Sequence, residues 1–234
     1  MIDGPQAISP LIDAPPLVLF GMDMAAATIF AATGALAASR RQMDVVGFIW
    51  LAIATGVGGG TVRDLILDVP VFWVVNPAHI IACVTTAIIV HFGAHLIERR
   101  FVALLWLDAL GMALVTVAGT SKGLSVGAAP LIAVTMGVFT ASVGGIIRDV
   151  LTQEPSIIMR REIYVTAALA GAVSYVIAVQ LGAGKLGAAG AGFGVAASLR
   201  MAALAFGWSM PAYRPRAARD YPITDQTPPP DREG

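Results

Sequence analysis

Runs of about 20 apolar residues, each long enough to cross a bilayer as a helix, alternate along this chain with short polar or proline-bearing breaks. The pattern predicts seven spans, at about 17–38, 45–66, 78–97, 101–121, 131–151, 163–181 and 186–207. The breaks carry turn signals such as Asn76-Pro77 and Ala129-Pro130. No soluble linker separates the spans. Residues 1–16 lack Lys and Arg, so they do not read as a signal peptide. Residues 208–234 are rich in Pro and charge and read as a disordered tail. The predicted fold class is an all-α integral membrane protein.

A segment of span two returns in span five. Residues Thr55 to Pro70 read TGVGGGTVRDLILDVP, and residues Thr140 to Pro155 read TASVGGIIRDVLTQEP. At one constant offset Thr55 pairs with Thr140, Gly59 with Gly144, Gly60 with Gly145, Arg63 with Arg148, Asp64 with Asp149 and Pro70 with Pro155. The same offset pairs Asp23 with Asp108 and Gly34 with Gly119. Three spans separate the copies, so the two triplets run antiparallel across the membrane. This predicts a 3+3 inverted repeat, residues 17–97 and 101–181, with residues 186–207 as an unpaired seventh helix. Such a duplication suits a pathway between the two halves.

Composition agrees with a membrane location. The chain has 234 residues, 57% of them hydrophobic and only 13% charged, against about 25% charged in soluble domains. The net charge is zero, which gives no sign of a nucleic-acid partner. Cys83 is the single cysteine, so an intrachain disulfide and a multi-cysteine metal site are both excluded. It reads as a small core residue.

The basic residues predict the orientation. Arg40, Arg41, Arg99, Arg100, Arg160, Arg161, Arg214, Arg216, Arg219 and Arg232 fall on one side of the seven spans. Only Lys122 and Lys185 fall on the other. The N-terminal tail is therefore expected outside, and the C-terminal tail in the cytoplasm.

The candidate chemistry lies in the repeated segments. Glycines loosen a helix, and freed backbone groups at membrane depth are tolerated only inside protein or beside water. Gly56, Gly58, Gly59 and Gly60 are read as interrupting span two, and Gly144 and Gly145 as interrupting span five. Thr55, Thr140 and Ser142 stand beside these breaks. Small residues also serve close helix packing, but the partial repetition, followed each time by Arg-Asp, favours a functional break. Arg63 and Asp64 point about 100° apart on a helix, which predicts only a poor pair between them, and the same holds for Arg148 and Asp149. The duplicated Asp23 and Asp108 are the other acids on offer, so the partner of Arg63 is expected to be Asp23 or Asp64, and that of Arg148 Asp108 or Asp149. Two compatible readings stay open: buried ion pairs that lock the helices, or polar groups lining a wet path. Within the spans four aspartates face three arginines (Arg63, Arg148, Arg200), a slight acid excess that allows cations without demonstrating them.

Other features read as ordinary. His91, His95 and Glu98 share a helical face, but a metal site needs further ligands, and a polar helix end is the simpler reading. His79 is expected at the interface, and Phe72 and Trp73 as interface anchors. Trp50, Trp106 and Trp208 read as packing or anchoring. Gly187, Gly190, Gly192 and Gly194 suit helix packing in span seven. No nucleotide fingerprint, catalytic set or phosphate loop is visible, so neither an enzyme nor a cofactor is expected.

The segments GVGGGTVRD, followed by PVFWV, and SVGGIIRD resemble the trimeric intracellular cation channel (TRIC) family in its prokaryotic branch. The likeness covers about residues 17–207. It implies a homotrimer in a bacterial or archaeal (inner) membrane, with an ion path inside each protomer and kinked helices two and five. The family's pore-shaping glycines would fall on Gly58, Gly59 and Gly60 and on Gly144 and Gly145. Val143 stands where the first copy has Gly58, so the two kinks need not be equal. Potassium or another monovalent cation as the permeant ion comes from this resemblance alone. The implied partners are such cations, membrane lipids and other copies of the chain. A secondary transporter or exporter of a small metabolite such as an amino acid is the alternative, because inverted repeats and broken helices occur there too. A membrane scaffold would leave the duplicated charges unexplained.

Overall fold

The structure, a computed structural model, describes residues 16–97, 99–155 and 163–209. The tails, Glu98, Arg160 and Arg161 lie outside the described residues, as do the C-terminal arginines. The long helices are α1 (Pro16–Arg40), α2 (Val45–Ile66), α4 (Ala78–Gly93), α5 (Arg100–Ser125), α6 (Pro130–Leu151), α7 (Val165–Gln180) and α8 (Lys185–Phe206). A single turn, α3 (Phe72–Val75), precedes α4, and a 3-10 turn at Ala94–Leu96 extends α4. The seven expected spans are thus present, with ends within a few residues of those read from the apolar runs. Six are long and apolar enough to cross a membrane, and α7 is a shorter apolar helix.

Local chemistry sets several helix ends. Asp44 caps α2 by accepting a hydrogen bond from the Gly47 N–H at 2.8 Å, which satisfies one of the free donors of the first turn. Pro130 starts α6 at a position where its missing N–H costs nothing. The C-termini of α2 and α6 are built alike. Asp68 and Gln153, equivalent positions of the two repeats, both adopt φ of 53°. Behind them the Val69 N–H reaches the Asp64 carbonyl at 3.0 Å, and the Glu154 N–H reaches the Asp149 carbonyl at 2.9 Å. Both are the left-handed cap that closes many helices. The repeat therefore extends to backbone conformation.

Packing follows the same duplication. Within the first repeat α1 lies against α2 and α4, and α2 against α4; within the second, α5 lies against α6 and α7, and α6 against α7. The repeats join through equivalent helices, α1 on α5 and α2 on α6, while α8 packs on α7 and α5. Buried alanines dominate the interfaces, including Ala27, Ala31, Ala35, Ala109, Ala113 and Ala196. Side chains this small let helix backbones approach, which is where packing in lipid gains its contacts. Cys83 is buried among them.

Two sequence expectations change here. The glycines do not interrupt either span: α2 is helical from Val45 to Ile66 and α6 from Pro130 to Leu151 without a break. Gly56, Gly58, Gly59, Gly60 and Gly144 sit where neighbours hold the helix and an added Cβ would be crowded, whereas a Cβ on Gly145 would meet only ordinary contacts. In α8, only Gly192 among the four glycines packs closely, against Gly171 and Tyr175; a Cβ at Gly190 or Gly194 would meet nothing.

Candidate functional site

The helices α2 and α6 cross at the repeated segment, and the contacts there are reciprocal. A methyl group on Gly59 would overlap the Thr140 carbonyl oxygen, and one on Gly144 would stand 3.0 Å from the Thr55 carbonyl oxygen. These are one contact seen from each repeat. Gly34 and Gly119 form a second such pair. A Cβ on Gly34 would lie 2.7 Å from Thr55 Oγ1, and one on Gly119 would lie 2.9 Å from Thr140 Oγ1. Thr55 and Thr140 are thus wedged between three helices each. Their hydroxyls donate to their own helices, at Leu51 (2.7 Å) and Met136 (2.5 Å).

Beyond the crossing lie two charged triads, one toward each end of the bundle. Near the α3 end, Arg63 Nη1 donates to Asp23 at 2.9 Å, and its Nε donates to Asp64 at 2.7 Å. Near the end that carries Arg40 and Arg100, Arg148 Nη1 donates to Asp108 at 2.7 Å and its Nε to Asp149 at 3.0 Å. Both acids expected as candidates for each arginine are bonded to it, and only the expected weakness of the adjacent pair is corrected. Although the two Cβ vectors diverge, the long Arg side chain bends back so that its Nε reaches the adjacent carboxylate. Each triad holds two carboxylates against one guanidinium.

The triads differ in wetness and in ties. The Asp23 side chain is 16% exposed, whereas that of Asp108 is fully buried. Asp64 Oδ2 accepts the Phe72 N–H at 2.9 Å and so anchors α3. The Phe72 ring lies 5.6 Å from the Arg63 guanidinium and covers Gly60, whose Cβ would meet it at 2.6 Å. Trp73 donates to Thr61 at 2.8 Å. Phe72 and Trp73 therefore close onto α2, rather than serving only as interface anchors. His79 is 2% exposed, with ring contacts to Phe20 and Phe72, so at its end of α4 it packs inside the protein rather than facing outward. In the second triad Arg148 Nη1 also donates to Thr33 of α1 at 3.1 Å. Tyr164, buried at the start of α7, donates to the Ala141 carbonyl at 3.0 Å and carries the Arg200 guanidinium over its ring at 5.2 Å.

Not every candidate joins this site. Gly58 faces Ile147 of α6. Ser142 donates to Val138 at 2.9 Å and lines an apolar groove of about 370 Å³ with Phe139, Val143 and Leu169, away from the triads. His91 makes edge-to-face contacts with Phe48 and Phe92. No group of three or more metal-ligating side chains gathers among the described residues. At the basic end Arg40 pairs with Glu154 at 3.0 Å, and Arg41 donates to the Gln153 carbonyl at 3.1 Å. Those contacts join the end of α1 to that of α6. Thr33, Tyr164 and the closing role of Phe72 were missed in the sequence. The only available signal was position: Tyr164 stands in the second repeat where His79 stands in the first, but with a different side chain.

Comparison with known proteins fits this duplicated architecture. The sequence profile of a family described as Glycine transporter matches residues 20–95 and again residues 105–180, two stretches related by the same constant offset. The chain is 39% identical over 164 residues to the UPF0126 inner membrane protein YadS of Escherichia coli (strain K12), covering 69% of this chain and 79% of that one. It is 34% identical over 206 residues to a UPF0126 membrane protein of Vibrio cholerae, covering 84% and 83%. Among solved structures it is similar to the TRIC trimeric intracellular cation channel orthologue from Rhodobacter sphaeroides, at 49% identity and a TM-score of 0.80, over 82% of this chain and 99% of that one. A second, from a study of conductance through TRIC cation channels, is 29% identical with a TM-score of 0.76, over 86% and 100%. Two matched repeats, apolar helices long enough to span a bilayer and these likenesses together make the chain a multi-pass membrane protein that belongs to the trimeric intracellular cation channel family.

Proposed function

We propose that this protein is a passive channel for monovalent cations, potassium foremost, assembled as a homotrimer with one path inside each protomer. The path runs past the α2–α6 crossing, where Thr55, Gly59, Gly60, Thr140, Gly144 and Gly145 leave room and bend the helices without breaking them. The carrying observation is the pair of Asp–Arg–Asp triads, Asp23–Arg63–Asp64 and Asp108–Arg148–Asp149, at opposite ends of two crossing helices. Buried charges are costly in a membrane and mark ion or proton pathways. The first triad carries one more negative charge than positive, which favours cations and disfavours anions, while at the second the buried Arg200 over Tyr164 offsets that excess. The relatives described as cation channels support the same reading. The basic rim around Arg40, Arg41, Arg99 and Arg100 is placed in the cytoplasm of a cell with this protein in its inner membrane. The N-terminal tail is then outside and the C-terminal tail inside.

A second reading has one specific support, the family description Glycine transporter. In that case the crossing would form a midplane substrate site that alternates in access. Proteoliposomes separate the two. Potassium efflux that rises linearly with concentration, together with no saturable uptake of labelled glycine, is the outcome expected here. Saturable glycine counterflow without potassium leak would establish the transporter and end the channel reading.

A further inference from the structure

The four closely placed glycines of the crossing do not serve one purpose. At Gly59 and Gly144 an added Cβ would meet backbone carbonyls, and at Gly60 it would meet the Phe72 ring. At Gly145, the repeat partner of Gly60, the nearest atoms among the described residues are all polar and all at ordinary contact distance: Arg148 Nη2 at 3.7 Å, and Asp108 Oδ1 and Tyr164 Oη at 3.8 Å. Steric exclusion therefore does not explain a glycine at this position. Arg148 is 1% exposed, and its Nη2 completes no hydrogen bond. That atom lies 2.9 Å from Asp149 Oδ1 as an ion pair, but neither of its N–H bonds is aimed at that oxygen well enough to make a hydrogen bond. Asp108 Oδ2, also buried, has no hydrogen-bond partner. Buried donors and acceptors of this kind are normally satisfied.

We propose that Gly145 is kept free of a side chain to hold a water molecule inside the second triad. A water oxygen in contact with Gly145 Cα sits at about 3.3–3.6 Å, further out than a Cβ and closer to the polar atoms facing it. The chemistry of the three groups fits water on each count. Arg148 Nη2 donates to it. Asp108 Oδ1, the carboxylate oxygen that faces Gly145, already takes Arg148 Nη1 and keeps a second lone pair for one of the water's protons. Tyr164 gives its own proton to the Ala141 carbonyl, which leaves an oxygen lone pair for the second. Three hydrogen bonds is the usual number for a buried water. A bare cation does not fit beside the guanidinium. The site itself stands independently of transport. Its role as a hydrated point in the cation path rests on the channel reading above.

The test is the order of two substitutions in the full chain. Gly145→Ala displaces the water and offers nothing in return. Gly145→Ser places a hydroxyl among the same three groups. Helix propensity and added volume alone both rank Ala above Ser. Hydration ranks Ser above Ala, with a thermal midpoint for Ala about 2–4 °C lower. An Ala variant as stable as the Ser variant, or more so, overturns the proposal. A high-resolution experimental structure of the unsubstituted protein gives a second check that no folding failure can obscure. Density is expected within hydrogen-bond distance of Arg148 Nη2, Asp108 and Tyr164. A site without it, in a map that shows other buried waters, also overturns the proposal. Potassium flux should follow the same order, with Gly145→Ser restoring much of what Gly145→Ala loses. If the unsubstituted protein conducts no potassium, the channel reading falls, while the stability order and the density still decide the hydration site.

Discussion

Arg148 of the second repeat donates a hydrogen bond to Thr33 of the first at 3.1 Å, and the residue equivalent to Thr33 in the second repeat is Ala118. The duplicated triads are thus unequal by one hydroxyl. Arg148 is tied across the boundary between repeats, whereas the two carboxylates that hold Arg63 both belong to its own repeat. Replacing Thr33 by Val keeps the volume and removes the acceptor. Hydrogen bonds to charged groups contribute about 1.5–3 kcal/mol. Thr33→Val should therefore lower stability by that order. The thermal midpoint in detergent measures it, and an unchanged midpoint would show that the tie contributes nothing.

The ion pairs invite double-mutant cycles. Arg148→Ala strands two carboxylates, one of them fully buried. Removing one member of such a pair costs about 3–5 kcal/mol. The double variant Arg148→Ala/Asp108→Ala should be less destabilised than the two single losses added together, with a coupling of about 0.5–3 kcal/mol. The Arg63–Asp23 cycle should show a weaker coupling, because Asp23 is partly exposed and water screens it. Equal couplings in the two cycles would contradict the contrast between a wetter and a drier triad.

The crossing makes a steric prediction. Gly59→Ala drives a methyl group into the Thr140 carbonyl, a backbone atom that cannot rotate away. Overpacking of this kind costs about 1–3 kcal/mol. Gly144→Ala, with 3.0 Å to the Thr55 carbonyl, should cost less, and both should lower flux by prising α2 from α6. A Gly59→Ala variant with unaltered stability and flux would place this contact outside the working site.

Much of this arrangement was legible from residue spacing. The constant offset between the two copies identified the aspartates and arginines that the fold brings together, and the apolar runs matched the helices closely. Of the expectations that failed, two have plain physical reasons. Adjacent Arg and Asp were judged by the angle between their Cβ vectors, which ignores the reach of a guanidinium on three methylenes. The glycine runs were read as breaks because glycine weakens an isolated helix. In a helix crossed on several sides, the close approach that glycine permits offsets that weakness. Thr33 and Tyr164 left no trace in the repeat pattern, since their equivalents are Ala118 and His79. Only the folded geometry links them to Arg148.

Topology can be read by labelling. Single cysteines at Gln42, between α1 and α2, and at Ala183, between α7 and α8, should react with a membrane-impermeant maleimide from opposite faces of the membrane, Gln42 from the cytoplasmic face. Cys83 is buried and should stay silent in the background. Labelling of both positions from one face would remove the odd number of crossings and, with it, the inverted repeat.

The most direct test of the central claim is a reversal potential. The purified protein in a planar bilayer, with potassium chloride tenfold more concentrated on one side, should give discrete current steps that reverse near the potassium equilibrium potential. Neutralising Asp23 or Asp108 should move that reversal toward zero. Steps that reverse near the chloride potential, or a bilayer that stays silent while saturable glycine exchange proceeds, would contradict a cation path through the two triads.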